Sequence, residues 1–190
     1  MTNENSERAL TEIERSAKNL KFELLRQAFY HSDELWFFLF VERMTKFISA
    51  MAGTAVVGMA FARIPALAII LGSLIAVLQT IGLVFGISAR AVLHENRRQQ
   101  YFTLLAELES RPPSEESIFR INADIARIWG SEPSTKWGVE VMARNSAMAA
   151  MKTKLEQGDL IPITNWEKFI RFVWRFSPEH FRLHELGPAR

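Results

Sequence analysis

The sequence contains no cysteine. Disulfide frameworks, thiol nucleophiles and cysteine-ligated zinc are therefore excluded. A surplus of charge is lacking too: 23 Lys and Arg stand against 21 Asp and Glu, for a formal net charge of +2. That balance gives no electrostatic footprint for nucleic acid, so no nucleic-acid partner is expected. There is no strand-like alternation of useful length, no Gly-rich linker and no internal repeat. A Walker loop, a dinucleotide fingerprint, a nucleophile elbow and a metalloprotease motif are all missing. His180 and His184 have helix-face spacing, with Glu179 and Glu185 nearby, but nothing completes a metal-ligand set. Glu107, Glu109, Glu115 and Glu116 fit capping and surface positions rather than an acid–base pair. No enzymatic activity, cofactor or metal is expected. The opening residues, "MTNENSERALTEIERS", lack the basic start and apolar run of a signal peptide, which predicts an N-terminal arm that stays in the cytoplasm.

What is present is a sharp concentration of apolarity. The mean hydropathy of +0.01 averages two unlike parts, because almost all the apolar excess lies between Phe47 and Ala89. "FISAMAGTAVVGMAFA" ends at Ala62, Arg63 interrupts, and a second run continues from Pro65 to Ala89. A membrane span needs roughly 20 apolar residues. The second run is long enough, and the shorter first run is extended by Lys46 and Arg63, which can snorkel from its ends. Ala62-Arg63-Ile64-Pro65 makes a tight connection, so the two runs predict a helical hairpin. Arg43 and Lys46 precede it and Arg90, Arg97 and Arg98 follow it, while only Arg63 sits in the turn. The positive-inside rule then puts both termini in the cytoplasm.

The predicted fold class is an all-α membrane protein. It comprises a cytoplasmic helical arm (1–46), a transmembrane hairpin (47–90, spans about 47–62 and 64–89), a cytoplasmic helical region (91–158) and an amphipathic aromatic and basic tail (159–190). In the arm, Leu10, Ile13, Ala17, Leu20 and Leu24 form one apolar stripe, the pattern of a packed helix. Ser32 reads as the N-cap of a further helix, followed by Asp33 and Glu34. Trp36, Phe37, Phe38 and Phe40 fit either a membrane-interface cluster or a core beneath it. Ser114 caps another helix ahead of Glu115 and Glu116, and a later helix runs from about 134 to 157. Thr164 and Glu167 have capping-box spacing. The following Trp166, Phe169, Ile170, Val173 and Trp174, interleaved with Lys168, Arg171 and Arg175, are expected to dock on the protein, an anionic membrane surface being the alternative.

On a helical projection of the second span, Gly72, Ser73, Ala76, Gln79, Thr80 and Gly86 fall on one side. Ile70, Leu71, Leu74, Val77, Leu78, Ile81, Val84 and Phe85 fall on the other. Small residues also recur every four positions, as Ala50, Thr54, Gly58 and Ala62 in the first span and Ala68, Gly72, Ala76 and Thr80 in the second. Such spacing favours close helix contact, so these residues are the candidates for helix packing or for lining a pore. Gln79, near the middle of the run, needs a partner: either a neighbouring helix or a water-filled path that only an oligomer could enclose.

The order of parts resembles the SLATT domains of bacteria, two-transmembrane effectors associated with nucleotide-second-messenger and related conflict systems. The resemblance covers roughly residues 16–151. It is carried by the hairpin, the extension "HENRRQQYFTLLAELES" and the stretch "INADIARIWGSEPSTKWGVEVMARNSAM", where Glu132-Pro133 and Asn145 are similar to the family's Glu-Pro element and downstream Asn. It implies an oligomeric, pore-forming or membrane-disrupting effector in the bacterial cytoplasmic membrane, acting with a linked sensor. For Glu132, Pro133 and Asn145 turn, cap and helix-stitching roles are expected rather than ligand binding. The alternatives are a non-conducting membrane scaffold or regulatory subunit, and a soluble all-helical interaction protein that buries the hairpin.

Overall fold

The computed structural model of the chain describes residues 2–61, 65–132, 135–152, 159–170 and 172. Every regular element among them is a helix: α1 (Thr2–Phe61), α2 (Pro65–Val84), α3 (Ile87–Glu109), α4 (Glu115–Trp129), α5 (Trp137–Met151) and α6 (Asn165–Ile170).

α1 corrects the expected break at Ser32. The sequence offers no glycine before Gly53 and no proline before Pro65, so nothing interrupts the hydrogen-bond ladder. Ser32 Oγ donates back to Ala28 O at 2.9 Å, a contact made within a helix and not at its start. The helix expected over about 134–157 is shorter, running from Trp137 to Met151 with Lys152 extended at its end, but two other local signals match the termini. Ser114 caps α4 through a reciprocal box with Ser117, ahead of Glu115 and Glu116. Thr164 and Glu167 exchange the capping-box bonds that start α6, at 2.7 Å and 3.2 Å.

The chain divides into two units. The first comprises residues 1–33 and 95–190. Its core joins Leu20, Leu24, Leu25 and Ala28 of α1 to Tyr101, Leu104, Leu105 and Leu108 of α3, Ile121, Ile125 and Ile128 of α4, and Ala147 of α5. The arm's stripe therefore packs at its C-terminal end, where Leu24 is fully buried, while Leu10 is exposed. Ion pairs flank this core, with Lys21 Nζ 2.5 Å from Glu109 and Arg120 paired to Glu107. The described start of the tail packs on α5, where Ile161 meets Val141 and Ile163 and Ile170 lie against them, while Trp166 is exposed and Arg171, Val173, Trp174, Arg175, His180 and His184 lie outside the described residues.

The second unit, residues 34–94, holds the rest of α1, all of α2 and the start of α3. α2 is the outlier in burial. A stretch of 18 residues within the segment beginning at Pro65 has mean hydropathy 2.4, and none of it is buried. It is the one helix among the described residues that is long and apolar enough to cross a membrane. α2 also ends sooner than the expected limit of the second span. Phe85 N donates to Ile81 O, Gly86 N turns to Leu83 O, and Gly86 has φ +59° before α3 begins at Ile87.

At that angle only glycine is free of strain. Gly86→Ala is expected to lower stability by about 1–2 kcal/mol. Gly58→Ala and Gly72→Ala meet nothing within 4 Å and should be neutral or gain up to about 1 kcal/mol. Thermal unfolding followed by circular dichroism separates the two outcomes.

Candidate functional site

In the second unit α2 runs antiparallel beside the end of α1, tied by Gln79 Nε2 donating to Ser49 Oγ at 2.8 Å. The partly buried positions are Thr45, Ser49, Ala52, Gly53, Ala55, Val56 and Met59 on α1, and Ala68, Leu71, Gly72, Ile75, Leu78 and Gly82 on α2. The ladders of four are split: Ala68 and Gly72 are partly buried, and Ala62 lies outside the described residues. Ala50, Thr54 and Gly58 are exposed, as are Ser73, Ala76 and Thr80. Thr54 and Thr80 donate their hydroxyls to their own helices, at Ala50 O (2.9 Å) and Ala76 O (2.8 Å). The expected small-and-polar face is thus divided. Gly72, Gln79 and Gly86 lie toward α1, while Ser73, Ala76 and Thr80 lie on open surface.

The break at Gly86 also moves Gln79 from mid-run to the second-last turn of α2, opposite Ser49. Around it the two helices enclose a cavity of about 430 Å³ lined by Glu42, Thr45, Lys46, Gln79, Gly82, Gly86 and Ser88, with apolar neighbours. Lys46 Nζ donates to Glu42 at 2.7 Å. That bond chiefly, helped by the Ser88 hydroxyl and by the Lys46 and Arg43 charges, holds the Glu42 carboxyl below the usual range despite some desolvation.

The flanking positions and aromatics sort by environment. Arg43, Lys46 and Arg90 are exposed, and Arg63 lies outside the described residues. The aromatic cluster splits: Trp36 and Phe40 are exposed and stacked at 5.4 Å, whereas Phe38 is buried against the His94 ring at 5.5 Å, with the Arg90 guanidinium 6.0 Å from its centre. Glu34 and His94, both buried, approach to 4.0 Å beside it.

In the first unit Glu132 is far more than a helix boundary. Tyr101 OH donates to its Oε1 at 2.6 Å, and His31 Nε2 lies 3.1 Å from the same atom. An ionised carboxylate only accepts, so His31 carries its proton on Nε2 here. The His31 and Tyr101 rings stack at 5.6 Å and 13°, at 1% and 0% exposure. Burial pushes the Glu132 carboxyl up, but the bonds from His31 and Tyr101 and the charges of His31 and Arg97 outweigh it and leave it below the usual range. The Tyr101 hydroxyl is pushed strongly up, first by burial and then by Glu132. Arg97 Nη2 extends the group to Ser131 Oγ at 2.5 Å. Pro133 lies outside the described residues.

Asn145 clamps the tail. Its Nδ2 donates to Ile161 O at 2.8 Å and its Oδ1 accepts from Ile161 N at 2.9 Å, so one amide replaces a missing strand partner. Asn145→Ala should leave both Ile161 groups without a protein partner, at a cost of about 1–3 kcal/mol. Hydrogen exchange at the Ile161 amide should accelerate at least tenfold, with Arg144→Ala as the milder comparison, since its guanidinium bond to Asp159 O is 3.4 Å long.

Sequence reasoning missed His31, Tyr101, and the buried pairing of Arg26 with Glu140 across α1 and α5. None has a local signature, since each partner lies on a distant turn of chain. No cluster of metal-ligating side chains occurs among the described residues.

No family model, curated protein or solved structure matches this chain.

Proposed function

We propose that the chain is an oligomeric, non-enzymatic membrane effector that permeabilises the bacterial cytoplasmic membrane, with both termini in the cytoplasm. α2 and the end of α1 would form its two-span hairpin, and the first unit would carry the signal from a sensor. The observation that carries this reading is the outward small-residue surface on an apolar, unburied helix pair. Ala50, Thr54, Gly58, Ser73, Ala76 and Thr80 are exposed, and Gly58 has open space where a Cβ would stand. That glycine costs helix stability relative to alanine and gains no close approach within the chain. In a bilayer, such residues let a second copy approach closely. A soluble protein that used α2 as its core would bury it, and none of its residues is buried.

A second reading is a non-conducting scaffold. It is favoured by the Gln79–Ser49 bond, which uses the most polar residue of the span as helix glue. Expression of wild type and Gln79→Leu, with dye entry and membrane potential followed together, separates the two. An effector depolarises the cells and admits dye, and Gln79→Leu alters the rate. Membrane-resident wild type that leaves both unchanged supports the scaffold.

A further inference from the structure

We infer that the cavity between α1 and the α2–α3 junction is a hydrated inlet, entering the membrane-embedded hairpin from the Lys46–Ser88 end and reaching Gln79. This rests on the membrane reading above and specifies where water and small ions would first penetrate. Polar groups enter a largely apolar lining: Glu42, Thr45, Lys46, Gln79 and Ser88 share one space of about 430 Å³ with Leu83, Ile87 and Ala89.

These groups exceed what they can satisfy among themselves. The Lys46 ammonium has three N–H groups and makes one bond of 2.7 Å to Glu42. Gln79 gives one amide N–H to Ser49, and no other hydrogen bond of its amide occurs among the described residues. Gly86 N–H donates to Leu83 O at 3.1 Å, one residue short of its α-helical partner, so Gly82 O is bypassed. In hydrocarbon each unmet group would cost several kcal/mol. A bilayer tolerates irregular backbone and free amides where they line water.

The space is wide at the last turn of α2, where a Cβ at Gly82 would meet nothing within 4 Å. Seven residues separate Glu42 from Ser49, so the inlet penetrates about 10 Å at 1.5 Å per residue. It stops at the Gln79–Ser49 bond, which closes its inner end in the single chain.

The absence of cysteine makes the test direct. Single substitutions Thr45→Cys, Gln79→Cys and Gly82→Cys probe the cavity, and Ile70→Cys, Leu74→Cys and Val77→Cys probe the exposed apolar side. Each full-length protein is treated, in inside-out membrane vesicles, with a charged membrane-impermeant thiol reagent. Cavity positions are expected to react at least tenfold faster than the apolar side. If the apolar positions react as fast as the cavity, α2 is not in lipid and the membrane reading itself falls. If both sets are protected, the hairpin is embedded and the inlet is overturned, whether the cavity is closed or filled by a lipid headgroup.

Discussion

Glu132→Ala is expected to destabilise the first unit by about 3–5 kcal/mol, a large share of a small domain's stability. The loss is more than two hydrogen bonds. Tyr101 OH and His31 Nε2 sit at 0% and 1% residue exposure, and both point at the deleted carboxylate. Leaving buried donors unmet costs more than the bonds contribute when made. Tyr101→Phe removes the hydroxyl and leaves no orphan on α3, so its cost should be only about 1–1.5 kcal/mol. Denaturant unfolding measures both, and equal losses would contradict an anchoring role for Glu132.

The same group sets a pH dependence. Its folded pKa lies below the ordinary glutamate value of 4.5. The unfolded chain therefore binds the proton first. The stabilisation is fully present above that value and is lost as pH falls through the depressed folded one. Glu132→Gln, which cannot titrate, should start less stable at neutral pH and show a shallower acid limb as pH falls through and below the ordinary glutamate value of 4.5.

Local chemistry was legible in the sequence and long-range chemistry was not. Ser114 and Thr164–Glu167 act within one helical turn, so side-chain type and spacing decide them. Ser32 carried the same cap signature, yet α1 runs through it. A serine caps a helix only where the chain must start one, and nothing in α1 forces a stop. The anchor at Glu132 joins residues 101 and 31 positions apart. Periodicity identifies Glu132 as polar after a helix but cannot say that two buried donors converge on it. Asn145 was legible as a tethering amide, but its partner is Ile161 in a non-helical segment and not a second helix, which depended on where the tail returns.

The hairpin shows the same limit. Apolar length and the Arg63–Pro65 punctuation marked two adjoining runs, but spacing alone does not say which small residues meet a neighbouring helix. Ala68 and Gly72 are partly buried, whereas Ala50, Thr54, Gly58, Ala76 and Thr80 are exposed. Gly86 was visible as one of the small residues on the polar side of the second span. Its left-handed φ, which shortens α2 and brings Gln79 near the charged end, depends on backbone geometry that residue size does not encode.

Leu74→Arg combined with Val77→Arg is expected to destabilise the membrane-inserted state by about 5–7 kcal/mol, from about 2.5–3.5 kcal/mol for each buried charge near a span centre. Both residues are exposed, at 50% and 54%, and lie within α2. In water such surface changes shift stability by about 0.5 kcal/mol at most. The solvent on that face therefore decides the outcome, not the packing of the chain. Phe119→Arg, at a 77% exposed site of α4, provides the comparison for a helix of the first unit. Wild type and Phe119→Arg should stay in the pellet after alkaline carbonate extraction, while the double arginine variant moves to the supernatant or is degraded. Equal partitioning of all three would mean that lipid does not surround α2, and the exposed leucines, isoleucines and valines of that helix would then have to be covered by protein.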